Sequence, residues 1–240
     1  MSSLPPLSRR SFLSFTALGA AATLTSCASY GPSGTQVTTI IYRDGQTVPQ
    51  RPQAGRTPEL DAMYGDIVDG GYVIPAVPYW RIDPRYYRQR VADPTGQPPG
   101  TIVVDTPSRF LYLVESGGTA MRYGVGIGRD GFSWQGTGVI QWRQKWPKWT
   151  PPTEMIARQP ELAQYSAANG GMAPGLTNPL GARALYIFQG GEDTLYRLHG
   201  SPEWNSIGKA VSSGCVRLMN QDIIDLYERV PNKAKIFVQQ

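Results

Sequence analysis

Imidazole and sulfur are scarce in this chain: its 240 residues include one histidine, His199, and two cysteines, Cys27 and Cys215. So small a set excludes a zinc finger or any site that needs three or four imidazole and thiolate ligands, and no metal is expected. Charge of one sign is also in short supply. Lys and Arg number 23 against 18 Asp and Glu, a formal +5, which is too mild to argue for nucleic acid as a partner. An apolar run near the N-terminus, Phe12 to Leu24, is short of the ~18 residues that a spanning helix requires. What remains, 40% apolar and 17% charged residues, describes one good-sized globular domain with appendages and a core that needs no disulfide staples.

The appendages begin with an address. Arg9 and Arg10 stand directly before the apolar run, the order of a twin-arginine secretory signal. A buried core helix is the bland alternative, and the Ala, Thr, Ser and Gly content without a polar face argues against it. Leu24-Thr25-Ser26-Cys27 resembles the lipobox of bacterial lipoproteins, which implies a lipid on the Cys27 sulfur and membrane anchorage in the cell envelope. Cleavage just beyond, near Cys27-Ala28-Ser29, would instead release a soluble periplasmic protein. A chain starting at Cys27 keeps 21 basic residues against 18 acids, a net +3. Either way Cys27 is removed or modified, which leaves Cys215 a thiol rather than half of a disulfide.

The organisation that follows is a signal over 1–27, a Pro-rich tether and strap over 28–98 and a folded domain over 99–240. Ten of the 21 prolines fall between Ala28 and Pro99, yet Tyr64, Tyr72, Tyr79, Trp80, Tyr86 and Tyr87 are too many aromatics for a linker and should pack on the domain. Beyond Gly100 the pattern is one of short strands: 101–105, 110–115, 119–127, 138–145, 184–189, 196–199 and 235–238, with a glycine hairpin turn at 116–118. Two helices are expected, 153–158 and 221–230, the second with Asn220 as N-cap and Pro231 as its stop. The domain is therefore mainly β.

Its chemistry is concentrated between His199-Gly200 and Ser212-Ser213-Gly214-Cys215-Val216-Arg217. A thiol is a poor nucleophile at its ordinary pKa of ~8.5, and an imidazole beside it can take its proton. A strand ending at His199, a loop and a second strand over 214–218 would bring the two together. Gly214 lets the backbone turn sharply and aim amide N–H groups at an oxyanion. Arg217 projects from the same face as Cys215 if the segment is extended, so its fork suits a substrate carboxylate. Ser212 and Ser213 offer hydroxyls near the reacting carbonyl. Singly, each residue has an ordinary explanation as core or surface filler. Together, in an exported chain, they favour a cysteine enzyme.

With Ser206-Ile207-Gly208 between them, these residues resemble the signature of the L,D-transpeptidase (YkuD-type) catalytic domain, in its proteobacterial cell-wall branch. The likeness runs from about Gly100 through Asn178-Pro179-Leu180-Gly181 to the C-terminus. Ser213 departs from it, standing where many relatives have a second histidine, so His199 is the one imidazole available. The resemblance implies a β-sandwich or barrel with Cys215 as nucleophile at a strand end, His199 as general base and acid, and the Gly200 carbonyl orienting the imidazole. It implies acyl transfer on peptidoglycan stem peptides: Cys215 displaces D-alanine, and an amine of a second stem or of an envelope protein takes the acyl group. No cofactor is required, because the thioester conserves the energy of the broken amide. An L,D-carboxypeptidase or endopeptidase, with water as acceptor, is the enzymatic alternative; a non-catalytic wall-binding lipoprotein is the other. In the segment Trp142 to Trp149, the resemblance places Trp146 and Trp149 on the substrate groove, whereas strand alternation assigns Trp142 to the core.

Overall fold

A computed structural model describes residues 55–128, 134–212 and 214–240, with the backbone of 29–30 and 36–37; the side chains of 211 and 212 are not described. The export signal, Cys27, Ser213 and the Ser212 side chain therefore lie outside the described residues. The chain divides into two units, Met1–Val48 and Pro49–Gln240. In the first, β1 (Ser29–Tyr30) and β2 (Gln36–Val37) form an antiparallel pair.

The first elements of the second unit are short and depend on local chemistry. Helix α1 (Pro58–Met63) starts where Thr57 accepts a hydrogen bond from the Leu60 N–H, with Pro58 in the first turn, a favourable N-terminal pair. Strands β3 (Ile67–Asp69) and β4 (Tyr72–Ile74) form a hairpin around Gly70 and Gly71, both at positive φ. Strand β5 (Gln89–Ala92) closes the strap. Tyr64, Tyr79, Tyr86 and Tyr87 are buried in one cluster with Ile207 and Met219, so these four strap tyrosines pack on the domain, while Trp80 is 40% exposed.

The domain proper contains β6 (Ile102–Asp105), β7 (Phe110–Val114), β8 (Thr119–Gly124), β9 (Ile127–Gly128), β10 (Gly136–Lys145), α2 (Thr153–Arg158), β11 (Arg183–Gln189), β12 (Glu192–Ser201), β13 (Ala210–Ser212), β14 (Val216–Met219), α3 (Asn220–Arg229) and β15 (Lys235–Gln239). Eight of these strands, with β5 of the strap, make one sheet in the order β14-β12-β11-β10-β15-β6-β7-β8-β5. Antiparallel neighbours dominate, and β12–β14 and β15–β6 are the parallel pairs. The architecture is mainly β, as the strand pattern predicts.

The sheet curls on itself. Met121 and Tyr123 of β8 share a core cluster with Val216 and Leu218 of β14, although seven positions separate those strands in the sheet order. Arg217 and Gly126 exchange backbone hydrogen bonds of 2.8 and 2.9 Å, and β9 pairs with β13 beside them. Helix α3 covers the open end of the core with Ile223, Leu226 and Tyr227. Fully burying each such side chain is worth about 1.5–3 kcal/mol.

Two local expectations are corrected. Asn220 is the first residue of α3 rather than its cap, which is Met219. The Asn220 Oδ1 instead accepts the Ala182 N–H at 3.0 Å, a long-range bond that satisfies a buried donor and outweighs local capping. Trp142 is 53% exposed, because β10 carries a bulge between Ile140 and Trp142. The extra residue advances the two-residue alternation by one and turns the indole outward.

Candidate active site

Leu198, Val216 and Leu218 are fully buried in the core, so alternation sends Arg197, His199, Cys215 and Arg217 to the opposite face of β12 and β14. Leu198 lies opposite Val216, and His199 opposite Arg217. Cys215 precedes β14 by one residue and falls beside Arg197, one pleat from His199. The parallel pairing thus places the imidazole and the thiol on one face of adjacent strands.

His199 is buried, and its Nδ1 lies 2.6 Å from the Gly200 carbonyl oxygen. A carbonyl can only accept, so Nδ1 carries the hydrogen and Nε2 is left with a bare lone pair, the form in which an imidazole acts as a base. Burial drives the imidazole down to about 4; Arg217 and Arg197 push the same way, while the carbonyls of Gly200 and Pro179 oppose. At neutral pH the ring is uncharged.

The Cys215 residue is half-buried. Desolvation nevertheless raises its thiol above the ordinary value, against the opposing pull of the Arg197 backbone N–H and the Arg197 and Arg217 cations. Burial therefore disfavours the charged form of both groups.

Glycine is required at two points here. Gly214 has φ of 125°, a conformation that any Cβ would strain. A Cβ on Gly200 would lie 2.9 Å from the Ile223 side chain and 3.2 Å from the Ala182 nitrogen, and would also collide with the Asn220 side chain. That close approach of β12 to α3 fixes the peptide whose carbonyl holds His199.

Arg217 is mostly buried, and one arm of its fork donates to Glu203 Oε2 at 2.6 Å while Glu203 itself is exposed. Its Nε is buried and makes no hydrogen bond among the described residues. A partly satisfied guanidinium on the same face as the thiol can take a carboxylate if Glu203 gives way.

The loop from His199 to Cys215 is seated on the strap. Ile207 packs among the strap tyrosines, and Gly208, at φ of 77°, lies so close to the Tyr86 ring that a Cβ would strike it. Ser206 donates to the Glu203 carbonyl at 2.7 Å.

The connection from β10 to β11 covers the opposite side. Asn178 is buried and donates to the carbonyls of Pro147 and Ala173 at 3.1 and 3.0 Å, bringing the Pro179 carbonyl to His199. Trp146 takes positive φ, 46°, uncommon for a bulky residue. Its Nε1 donates to Asp69 at 2.7 Å, its ring packs on Tyr72 at 4.1 Å, and Arg183 binds the same Asp69 at 2.7 Å. Trp149 is half-buried and exchanges backbone hydrogen bonds with Met172. Trp146 thus sits in a cluster anchored by Asp69, Tyr72 and Arg183.

Sequence reasoning gave Pro179, Arg197, Glu203 and Asn220 no role at the site. Arg197 carried a signal, since a residue two before His199 on a strand must share its face. The others depend on contacts across the fold.

Comparisons with known proteins identify the family. A family model described as YkuD, the L,D-transpeptidase catalytic domain, matches residues 99–238. The chain is 32% identical over 145 residues to "Probable L,D-transpeptidase YbiS" of Escherichia coli strain K12, covering 57% of this chain and 43% of that protein. It is 30% identical over 148 residues to "Putative L,D-transpeptidase in ATP synthase subunits region ORF 5" of Fuscovulum blasticum, covering 61% and 71%. The chain therefore spans less than half the length of YbiS. A solved structure from Brucella melitensis, named a probable carnitine operon oxidoreductase, is 45% identical, with 64% of this chain and 94% of that one covered and a TM-score of 0.46.

Proposed function

Because the chain belongs to the YkuD family of L,D-transpeptidase catalytic domains, we propose that it is a peptidoglycan L,D-transpeptidase whose nucleophile is Cys215. The observation that carries this reading is the His199 Nδ1 contact of 2.6 Å with the Gly200 carbonyl. It supports the tautomer with a bare Nε2, on a strand face that alternation also gives to the thiol.

In the proposed reaction the Cys215 sulfur attacks the carbonyl on the L-centre of the third stem residue, and His199 Nε2 takes the thiol proton. The backbone N–H groups at Gly214 and Cys215 receive the oxyanion. The C–N bond then breaks, His199 returns the proton to the departing D-alanine amine, and a thioester remains. An amine of a second stem, or of an envelope protein, attacks the thioester; His199 accepts its proton and passes it to the leaving sulfur. No oxidant, metal or nucleotide enters the balance.

Arg217 binds a carboxylate of the donor stem, with Ser212 and Ser213 beside the reacting carbonyl and Trp146 and Trp149 along the groove. Cys27 carries the lipid that anchors the protein in the cell envelope, and residues 28–98 form the tether and strap that join it to the catalytic domain.

Incubation with disaccharide tetrapeptide, with products identified by mass spectrometry, tests the reading. Cross-linked dimer supports it; tripeptide alone shows water to be the acceptor; unchanged substrate overturns it. Unimpaired binding of a Trp149→Ala variant to intact sacculi removes the groove role of that residue.

A further inference from the structure

The face that carries Cys215 continues sideways into a row of paired side chains. Arg197 on β12 lies opposite Tyr186 on β11, and Tyr186 lies opposite Trp142 on β10. The guanidinium stands over the Tyr186 ring at 4.3 Å, and the Trp142 ring stacks on the same ring at 4.4 Å. Every member but the last is fixed from within. Asp193 grips Arg197 with two hydrogen bonds of 2.7 and 2.8 Å, and the Tyr186 hydroxyl donates to Gln144 at 3.2 Å. Trp142 remains 53% exposed, an indole turned to solvent by a bulge, and bulges gather beside active sites for this kind of re-aiming.

We propose that Trp142, braced by Tyr186 and Arg197, is a subsite for a pyranose ring of the glycan that bears the stem peptide. The inference rests on the substrate reading above and adds to it the part of the substrate beyond the peptide. The C–H face of a sugar packs on an aromatic plane, which supplies apolar area at low entropic cost.

The span agrees. Three interstrand steps from Cys215 through Arg197 and Tyr186 to Trp142, at ~4.8 Å each, cover about 14 Å. From the reacting carbonyl back to the sugar there are three residues and a lactyl group of similar length, which when extended also span about 14 Å. A stem laid across the strands would seat its sugar at Trp142.

The test compares disaccharide tetrapeptide with the bare tetrapeptide as substrates of the full chain, for wild type, Trp142→Ala and Trp142→Phe. Wild type should prefer the sugar-bearing substrate in kcat/KM. Trp142→Ala should lower that preference by about five- to tenfold, through KM rather than kcat, and Trp142→Phe should restore most of it. An unchanged preference in Trp142→Ala overturns the subsite while leaving the transpeptidase reading intact. If no form releases D-alanine from either substrate, the substrate reading fails. Calorimetric titration of both compounds into a Cys215→Ala background then decides the subsite: a sugar-dependent affinity lost with Trp142→Ala sustains it, and equal affinities overturn it.

Discussion

Alkylation of Cys215 as a function of pH separates two kinds of cysteine site, and the structure commits to one. Burial raises the thiol above its ordinary value and lowers His199 to about 4, so both shifts disfavour a thiolate–imidazolium pair in the resting protein. Carbamidomethylation by iodoacetamide, followed by peptide mass spectrometry so that Cys27 is counted separately, should therefore be slow at pH 6. The rate should climb about tenfold per pH unit to pH 8 and beyond. An ordinary cysteine peptide should react several-fold faster at pH 7. His199 titrates on the acid side, so D-alanine release should persist down to pH 5 and fall only as pH approaches about 4. A rate of alkylation that is level between pH 5 and 8 would refute the reasoning, because a plateau there is the mark of a preformed ion pair.

Gly200→Ala should force β12 away from α3, at a stability cost of about 1–3 kcal/mol by overpacking, and displace the carbonyl that holds His199; kcat for D-alanine release should drop on the order of 100-fold, and wild-type kcat and melting temperature together would contradict the packing argument. Glu203→Gln should lower KM for the donor stem severalfold by freeing one arm of Arg217 from a charged competitor, as read in steady-state kinetics; a raised KM would show that Glu203 holds Arg217 in its working position instead. Asp222 is fully buried and burial raises its carboxyl from 3.8 to about 7, with Arg88 closer to Asp225, at 3.2 Å, than to Asp222, at 3.9 Å. The native state keeps that proton up to about pH 7 while the unfolded chain releases it near 3.8, so the contribution favours folding at low pH and is lost as pH rises through 7. Asp222→Asn should accordingly leave urea stability near wild type at pH 4 and raise it by roughly 2–4 kcal/mol at pH 8; an equal gap at both pH values would contradict it.

Much of this was written in the chain. Strands β6, β7, β8, β11 and β15 follow from short apolar runs between turn residues, and the pairing of β12 with β14 follows from placing His199 and Cys215 on two extended segments. What the sequence hides is set by tertiary contact. Strands β3 and β4 are three residues each, too short for a periodic signal, and β3 is anchored by the Asp69–Arg183 pair. Alternation assigns Trp142 to the core, and one bulge residue reverses that while leaving no trace in composition. Asn220 has the identity and position of a helix cap, yet the Ala182 N–H, 38 residues away in sequence, engages its side chain. The site was legible as a pair of reacting groups; its positioning residues, Pro179, Glu203 and Asn220, become visible only once the strands are in register.

The central claim is that Cys215 carries the acyl group. Rapid acid quench of the protein during turnover of disaccharide tetrapeptide, followed by peptide mapping, measures this directly. The account predicts a mass increase equal to the disaccharide tripeptide acyl group on the peptide containing Cys215, absent in Cys215→Ala. Release of D-alanine at an undiminished rate by Cys215→Ala, or an adduct on any other residue, would contradict it.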